Sequence, residues 1–117
     1  MNRELEEQVK DFITMNKNGE ILNLCQKHYA ENVLMYSNGV IFASSKEEAY
    51  NKQKVFVDDI KSYNITFVSK SINDNVSVLI FRYKMVTNNF KKIDFMGKHT
   101  LTWREGKIAE ELFETLS

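Results

Sequence analysis

The spacing of apolar residues changes along the chain, and this change restricts the possible fold more than any other feature. In the first part, apolar residues recur every three or four positions, as Leu5, Val9 and Phe12 do in a segment predicted to be helical over 3–16. From Ile65 onward, apolar and polar residues alternate, which is typical of β-strands with one buried face. Helices followed by such strands predict an α+β fold.

Turn and cap residues divide the chain further. The stretch Asn16–Gly19 ends the first helix, and a second helix leads into a short strand at 33–36. Ser45 and Glu48 form a capping box, which predicts a third helix that ends near residues 58–59. Four strands separated by turn residues are predicted after it: 65–70, 76–86, 93–104 and 108–116. With no linker or repeat in the sequence, we predict a single domain over residues 1–117.

Composition excludes several classes of protein. Hydrophobic residues make up 43% of the 117, enough for one core without a metal or disulfide staple, and sixteen basic residues balance sixteen acidic ones. A neutral chain has no electrostatic reason to bind nucleic acid. The single cysteine, Cys25, suits a reducing compartment, and the longest apolar run, 78–81, is too short to span a membrane. We expect a cytoplasmic protein without membrane or nucleic-acid partners.

Three clusters carry a resemblance to a known family. They are Asn18-Gly19-Glu20, the segment His-Tyr-Ala-Glu-Asn-Val at 28–33, and the segment Trp-Arg-Glu-Gly-Lys-Ile at 103–108. In order and spacing, the chain resembles the NTF2-like superfamily, which includes SnoaL-like polyketide cyclases and ketosteroid isomerases. The resemblance covers nearly the whole chain. It implies a cystatin-like cone, in which N-terminal helices pack on a strongly curved antiparallel sheet and enclose a pocket.

The resemblance also places the catalytic positions of ketosteroid isomerases on this chain. Those enzymes use a tyrosine and a protonated aspartic acid as oxyanion donors, and a further aspartate as general base. Matching the motifs puts Phe12, His99 and Ser37, respectively, at these positions. Phenylalanine has no hydroxyl group, and serine with an ordinary pKa cannot remove a proton from carbon unaided. We therefore expect no steroid isomerase activity, and only His99 could still act.

His99 is the main candidate for chemistry. By alternation its side chain shares a face with Phe95, Leu101 and Trp103, so a concave face would direct the imidazole into an apolar pocket. There it could donate a hydrogen bond or transfer a proton. The alternative is a core histidine bonded to a backbone carbonyl. Six residues could line the same pocket or simply pack in the core: Phe12, Met15, Tyr36, Phe81, Tyr83 and Trp103.

Other polar residues are assigned structural or solvated positions. His28 is expected to be structural, and Cys25 resembles a small buried hydrophobic residue. The chain has no Cys/His cluster or glycine-rich phosphate loop, so we predict no metal and no cofactor. The carboxylates near pocket-forming segments are not expected to be catalytic; Glu110 and Glu111 should occupy opposite faces of one strand. This group is Asp58, Asp59, Asp94, Glu110 and Glu111.

Two functions remain open. One is a SnoaL-like enzyme that performs acid–base chemistry on a small, largely apolar carbonyl compound, with His99 as donor or proton shuttle. The other is a non-catalytic module that binds an apolar or aromatic ligand, or acts as a dimeric interaction unit. The absence of a base at Ser37 favours the second function, whereas the inward histidine favours the first.

The strand around residues 76–81 predicts self-association. Val78 and Ile80 point to one face and Leu79 and Phe81 to the other, so both faces of this segment are apolar. The helices can cover only the concave face. We expect a homodimer with Val78 and Ile80 near its centre, bordered by Arg82 and Lys98; the alternative is that the C-terminal segment or a loop covers this patch.

Overall fold

The computed structural model describes residues 3–116, which form helices followed by one curved sheet. Over these residues the elements are α1 (Arg3–Lys17), α2 (Ile21–His28), β1 (Tyr29–Ser37), β2 (Val40–Ala43), α3 (Lys46–Asp58), β3 (Ile60–Asn73), β4 (Val76–Thr87), β5 (Lys92–Arg104) and β6 (Lys107–Leu116). The α+β class predicted from the change of period is confirmed. None of the helices in this part of the chain is long and apolar enough to cross a bilayer.

The six strands form one open sheet in the order β2-β1-β6-β5-β4-β3. Neighbouring strands are antiparallel, except that β1 and β6 run parallel. The expectation of a wholly antiparallel sheet is therefore corrected to a mixed one. The reason is topological: β1 and β6 are joined through all the elements between them, and such a long connection permits parallel pairing.

Two segments extend beyond the predicted strands. A tight turn at Asn38 and Gly39, both with positive φ, pairs β1 with the short strand β2, which was not predicted. Four residues are too few to show a period. Strand β3 begins at Ile60, five residues earlier than expected. Its first residues are mostly exposed and do not alternate, so the sequence pattern does not reveal them as part of a strand.

Helix α3 begins as predicted but buries less than expected. Ser45 Oγ accepts a hydrogen bond from the Glu48 backbone N–H at 3.1 Å, which is the N-cap half of the capping box. Of the apolar residues of this helix only Ala49 is buried, whereas Val55 is 75% and Phe56 45% exposed. The helix lies over the rim of the sheet, in contact with α2, β1 and β2, and one side of it faces a cavity rather than the core.

The core lies between α1 and the concave face of the sheet. Side chains from both layers are fully or almost fully buried there: Leu5, Val9, Phe12, Leu79, Phe81, Leu101 and Ile108. Burial of each large apolar side chain contributes roughly 1.5–3 kcal/mol. Within this packing, the Phe12 ring of α1 lies 6.1 Å from the His99 ring of β5, and Asn16 of α1 bonds to Tyr83 of β4. The core therefore positions α1 beside the polar residues described next.

Candidate binding and catalytic site

A cavity of about 340 Å³ lies between the concave face of the sheet and the three helices. Its volume is at the lower end of the range for small-molecule sites. Aromatic side chains supply much of its wall: Phe12, Tyr36, Phe42, Phe56, Tyr63, Tyr83, Phe95 and Phe113. A wall of this kind suits a small, largely apolar ligand.

A chain of hydrogen bonds runs along one wall of the cavity. Asn16 Nδ2 donates to Tyr83 Oη at 2.9 Å, and Tyr83 Oη lies 2.6 Å from His99 Nε2. His99 Nδ1 lies 2.5 Å from Glu111 Oε2, and the Tyr29 hydroxyl donates to the other oxygen of the same carboxylate. All five residues are buried, Glu111 to 2% exposure. We call these residues the Asn16–Glu111 network: Asn16, Tyr29, Tyr83, His99 and Glu111.

With one proton on the imidazole, the network has one consistent set of bond directions. The Tyr83 oxygen accepts from Asn16, and its single proton is donated to His99 Nε2. The imidazole proton is then on Nδ1 and is donated to Glu111. Every donor in the network then has an acceptor, and the series of hydrogen bonds ends at the Glu111 carboxylate.

A second proton on the imidazole would rearrange the network without moving a heavy atom. His99 Nε2–H would then donate to Tyr83 Oη, and the Tyr83 hydroxyl proton would be released from this bond. The Glu111 carboxylate beside Nδ1 would stabilise the imidazolium charge. The network can therefore either take up a proton or present a hydroxyl donor to the cavity.

Both tyrosines of the network are held as neutral phenols. Burial raises the pKa of Tyr83 well above its usual range; the hydrogen bond from Asn16 opposes this, and the charge of Glu111 adds to it. Burial and the neighbouring Glu111 likewise raise the pKa of Tyr29. At physiological pH both hydroxyl groups therefore remain donors.

Gly97 explains how Tyr83 and Phe113 approach each other over β5. A Cβ atom on this residue would lie 2.9 Å from the Tyr83 ring and 2.8 Å from the Phe113 ring, closer than packed atoms allow. Because Gly97 has no side chain, both rings can lie over the strand at this position. Tyr83 can therefore reach His99, which is two residues further along β5 on the same face.

Solved structures identify the fold. No protein-family model matches the chain, and no curated protein matches it in sequence. An NTF2-like protein of unknown function from Burkholderia pseudomallei superposes with a TM-score of 0.82 over 98% of this chain and 92% of that one, at 9% identity. A candidate SnoaL-like polyketide cyclase from Mesorhizobium loti gives 0.78 over 97% and 98%, at 19% identity. This chain has the NTF2-like fold.

A third structure carries a bound small molecule. It is a protein with a ketosteroid isomerase-like fold from Catenulispora acidiphila, solved in complex with trimethylamine; its TM-score is 0.74 over 92% of this chain and 83% of that one, at 11% identity. The resemblance predicted from the sequence clusters is thus confirmed at the level of fold. Function is argued from the site, because one fold hosts many activities.

The NTF2-like fold brings several of the predicted site residues to the cavity. Phe12, Tyr36, Tyr83 and His99 border it, as does Ser37. The three positions matched to ketosteroid isomerases therefore face one cavity, although two of them lack the required chemistry. His99 is not the predicted alternative of a core histidine on a backbone carbonyl, since both ring nitrogens bond to side chains.

Three other predicted lining residues lie elsewhere in the structure. Phe81 is fully buried and packs edge-on against the His99 ring at 5.6 Å. Trp103 lies further along β5, where its Nε1 donates to Ser77 Oγ at 3.0 Å. Met15 packs against the core. None of these three is among the described residues that border the cavity.

Glu111 is the residue of the candidate site that sequence reasoning missed. Trp103 pairs with Ile108 and Thr102 with Glu110, so one extra residue, Ala109, bulges out of β6. Alternation counted from Ile108 directs Glu110 inward; the bulge directs Glu111 inward instead. The available signal was the pair of adjacent acids, because one of two neighbours on a half-buried strand must face the interior.

The remaining polar candidates lie outside the cavity. His28 Nε2 lies 2.8 Å from Asp11 Oδ2 between α1 and α2, and Asp94 forms an ion pair with Arg82 at 3.1 Å on the outer face. Burial raises the pKa of the Cys25 thiol to about 11, which leaves it unreactive. Within residues 3–116, no group of side chains has the arrangement of a metal site.

Proposed function

We propose that this NTF2-like domain binds a small, largely apolar carbonyl compound in its cavity and exchanges a proton with it through Tyr83 and His99. The observation that carries the proposal is the Asn16–Glu111 network, a buried proton-transfer path on the wall of an aromatic cavity. Titratable groups in apolar pockets are associated with binding and catalytic sites.

The proton path has two balanced directions. With His99 protonated on both nitrogens, the Tyr83 hydroxyl proton passes to the carbonyl oxygen of the ligand, and the His99 Nε2 proton passes to Tyr83. The C–H bond next to the carbonyl then breaks and its proton leaves to water, which gives the neutral enol and leaves a neutral His99 whose Nδ1–H donates to Glu111. In reverse, the enol oxygen returns its proton to Tyr83, Tyr83 returns one to His99 Nε2, and water supplies the proton to the carbon. His99 is thus the proton reservoir, and Tyr83 is the group that touches the ligand.

The structural neighbours support a small ligand. The Catenulispora acidiphila protein holds trimethylamine, and the Mesorhizobium loti protein is a candidate polyketide cyclase. The present cavity has about the volume for a bicyclic ketone.

A non-catalytic binding module is the second candidate. One observation favours it: every donor of the Asn16–Glu111 network is already paired within the protein. In addition, Phe12 and Ser37 supply neither the donor nor the base that ketosteroid isomerases use at these positions. Under this reading the network only holds the wall of the cavity in place.

Hydrogen–deuterium exchange into a bound ketone separates the two functions. With 2-tetralone in D₂O, we expect the protein to accelerate deuterium exchange at the carbons next to the carbonyl. Proton NMR measures the rate of this exchange. Tyr83→Phe should bind the ketone but lose about 100-fold or more of this acceleration. Tyr63→Phe is the matched control, because Tyr63 also borders the cavity but bonds to the Gly19 carbonyl instead of the network. Binding without exchange in the wild type would refute the enzyme and support the binding module.

A further inference from the structure

A lysine lies at the rim of the cavity. Lys52, on α3, is the only lysine or arginine among the described residues that border the cavity. Its side chain is 49% exposed, so the residue lies where the cavity meets solvent. Ligand sites combine apolar walls with a few charged or polar groups that fix the orientation of the ligand. A cation at this rim therefore suits an anionic group of the ligand.

Two contacts hold the Lys52 ammonium group at the rim. Its Nζ donates to the backbone carbonyl of Phe42 at 2.6 Å and lies 5.3 Å from the centre of the Phe42 ring, and Phe42 is a residue of the cavity wall. An exposed lysine side chain usually samples many conformations, and ordering it on binding opposes affinity. Because the contacts with Phe42 already restrict Lys52, a ligand at the rim would meet an ammonium group that is in place.

The charge of Lys52 is only partly compensated within the protein. An ammonium group has three N–H donors, of which the Phe42 carbonyl takes one. Glu48 Oε2 is 3.8 Å from Nζ, beyond hydrogen-bond distance, and an exposed ion pair of this kind contributes little. By contrast, Lys54 of the same helix hydrogen-bonds to Asp58 at 2.8 Å. Lys52 can therefore donate to a ligand while it keeps its bond to Phe42.

We infer that the ligand carries a carboxylate that pairs with Lys52, an inference that rests on the proposed small-molecule function. A single ammonium group matches a single negative charge, whereas phosphate sites usually add several backbone N–H donors to the cation. Lys52 lies at the exposed rim, and Tyr83 is 7% exposed on the inner wall. The ligand class is a small aromatic ketone with an acid group. Its carbonyl reaches Tyr83, and its carboxylate stays at the rim, where water also solvates it.

Matched acids and amides test this inference. The probes are the four 2-tetralones with a carboxylate on the aromatic ring and the four with a carboxamide at the same positions. The measurement is the Kd by NMR titration at low ionic strength, where exposed ion pairs are least screened. In the wild type, we expect at least one carboxylate to bind about 3- to 10-fold more tightly than its carboxamide. Lys52→Met should abolish this preference, whereas Lys52→Arg, which keeps the charge, should retain it.

The control is Lys54→Met, which removes the same charge from the same helix at a position that is not among the described residues of the cavity wall. This variant should keep the preference. Methionine favours helices, and thermal unfolding verifies that each variant folds; Lys52→Gln takes the place of Lys52→Met if the latter does not.

Three results would overturn the inference while leaving the small-molecule site intact. They are equal affinities within every pair, a failure of every acid to bind where 2-tetralone binds, and a preference that survives in Lys52→Met or is lost equally in Lys54→Met. If neither 2-tetralone nor any of the eight derivatives binds the wild type, the proposed function fails and the inference fails with it.

Discussion

At the scale of single residues, the buried carboxylate of Glu111 organises the site. It accepts hydrogen bonds from Tyr29 and His99, and these bonds replace the water that it loses on burial. Adjacent Glu110 makes no such contact within the described chain and lies on the other face of β6. Two neighbouring residues of the same type therefore have opposite roles, set by a single bulge.

Replacement of the two glutamates should separate these roles. Glu111→Leu leaves the Tyr29 hydroxyl and the His99 Nδ1–H buried without acceptors, at roughly 1–3 kcal/mol each. We expect the free energy of unfolding, measured in urea, to fall by about 2–6 kcal/mol. Glu110→Leu should change it by about 0.5 kcal/mol or less, as for surface substitutions in general. Equal losses in the two variants would contradict the buried network.

His28 predicts a pH dependence of stability. Burial lowers its pKa below the usual value of 6.5, and the contact with Asp11 opposes this only in part. A histidine with a lowered pKa in the folded state contributes stability that is present above pH 6.5 and is lost as the pH falls through the folded-state pKa. The unfolding free energy should therefore fall as the pH is lowered from neutral through 6.5. His28→Gln should show a smaller fall, and an identical pH profile in both proteins would contradict this assignment.

At the scale of elements, β5 positions the site because Gly97 leaves room above it. Gly97→Ala would force the rings of Tyr83 and Phe113 apart, and we expect a loss of roughly 1–3 kcal/mol in unfolding free energy, typical of overpacking. Addition of Phe113→Leu should recover part of this loss, because the smaller side chain relieves one of the two clashes. Additive losses in the double variant would show that the rings do not compete for this space.

Much of the element pattern could be predicted from the sequence, because burial leaves a period that can be counted. The period placed α1, β4 and β5 and directed Tyr83 and His99 to the same face. The period does not show which strands pair, in which direction they run, or where a bulge interrupts the pairing. The bulge at Ala109, the pairing of β2 and the parallel pairing of β1 with β6 depend on contacts between distant segments. Glu111 was missed for this reason.

At the scale of the whole molecule, the outer face of the sheet supports the proposal of a homodimer. Val78, Thr100 and Leu112 are direct neighbours across β4, β5 and β6, and Leu112 is 38% exposed. Strand β6 is paired on both sides within the sheet and does not fold over this face, so cover by a loop is the part of the single-chain alternative that remains. A second copy would cover Val78 and Ile80, with Arg82 and Lys98 at the border.

Sedimentation velocity tests this dimer. We expect wild-type protein to sediment as a dimer at micromolar concentration and Ile80→Asp to sediment as a monomer, because a charge in an apolar interface is unfavourable. Lys70→Asp is the control, an exposed position on edge strand β3. A monomeric wild type, or a dimer that persists in Ile80→Asp, would rule out this interface.

The central claim is that Tyr83 donates to the carbonyl group of a ligand in the cavity, and the carbonyl ¹³C chemical shift of bound, labelled 2-tetralone measures this bond directly. A hydrogen bond to the oxygen draws electrons from the carbonyl carbon and moves its resonance downfield. We predict that the resonance of the ketone bound to wild-type protein lies downfield of its position when bound to Tyr83→Phe, whereas binding to Tyr63→Phe leaves it at the wild-type position. An identical shift in wild type and Tyr83→Phe would contradict the account.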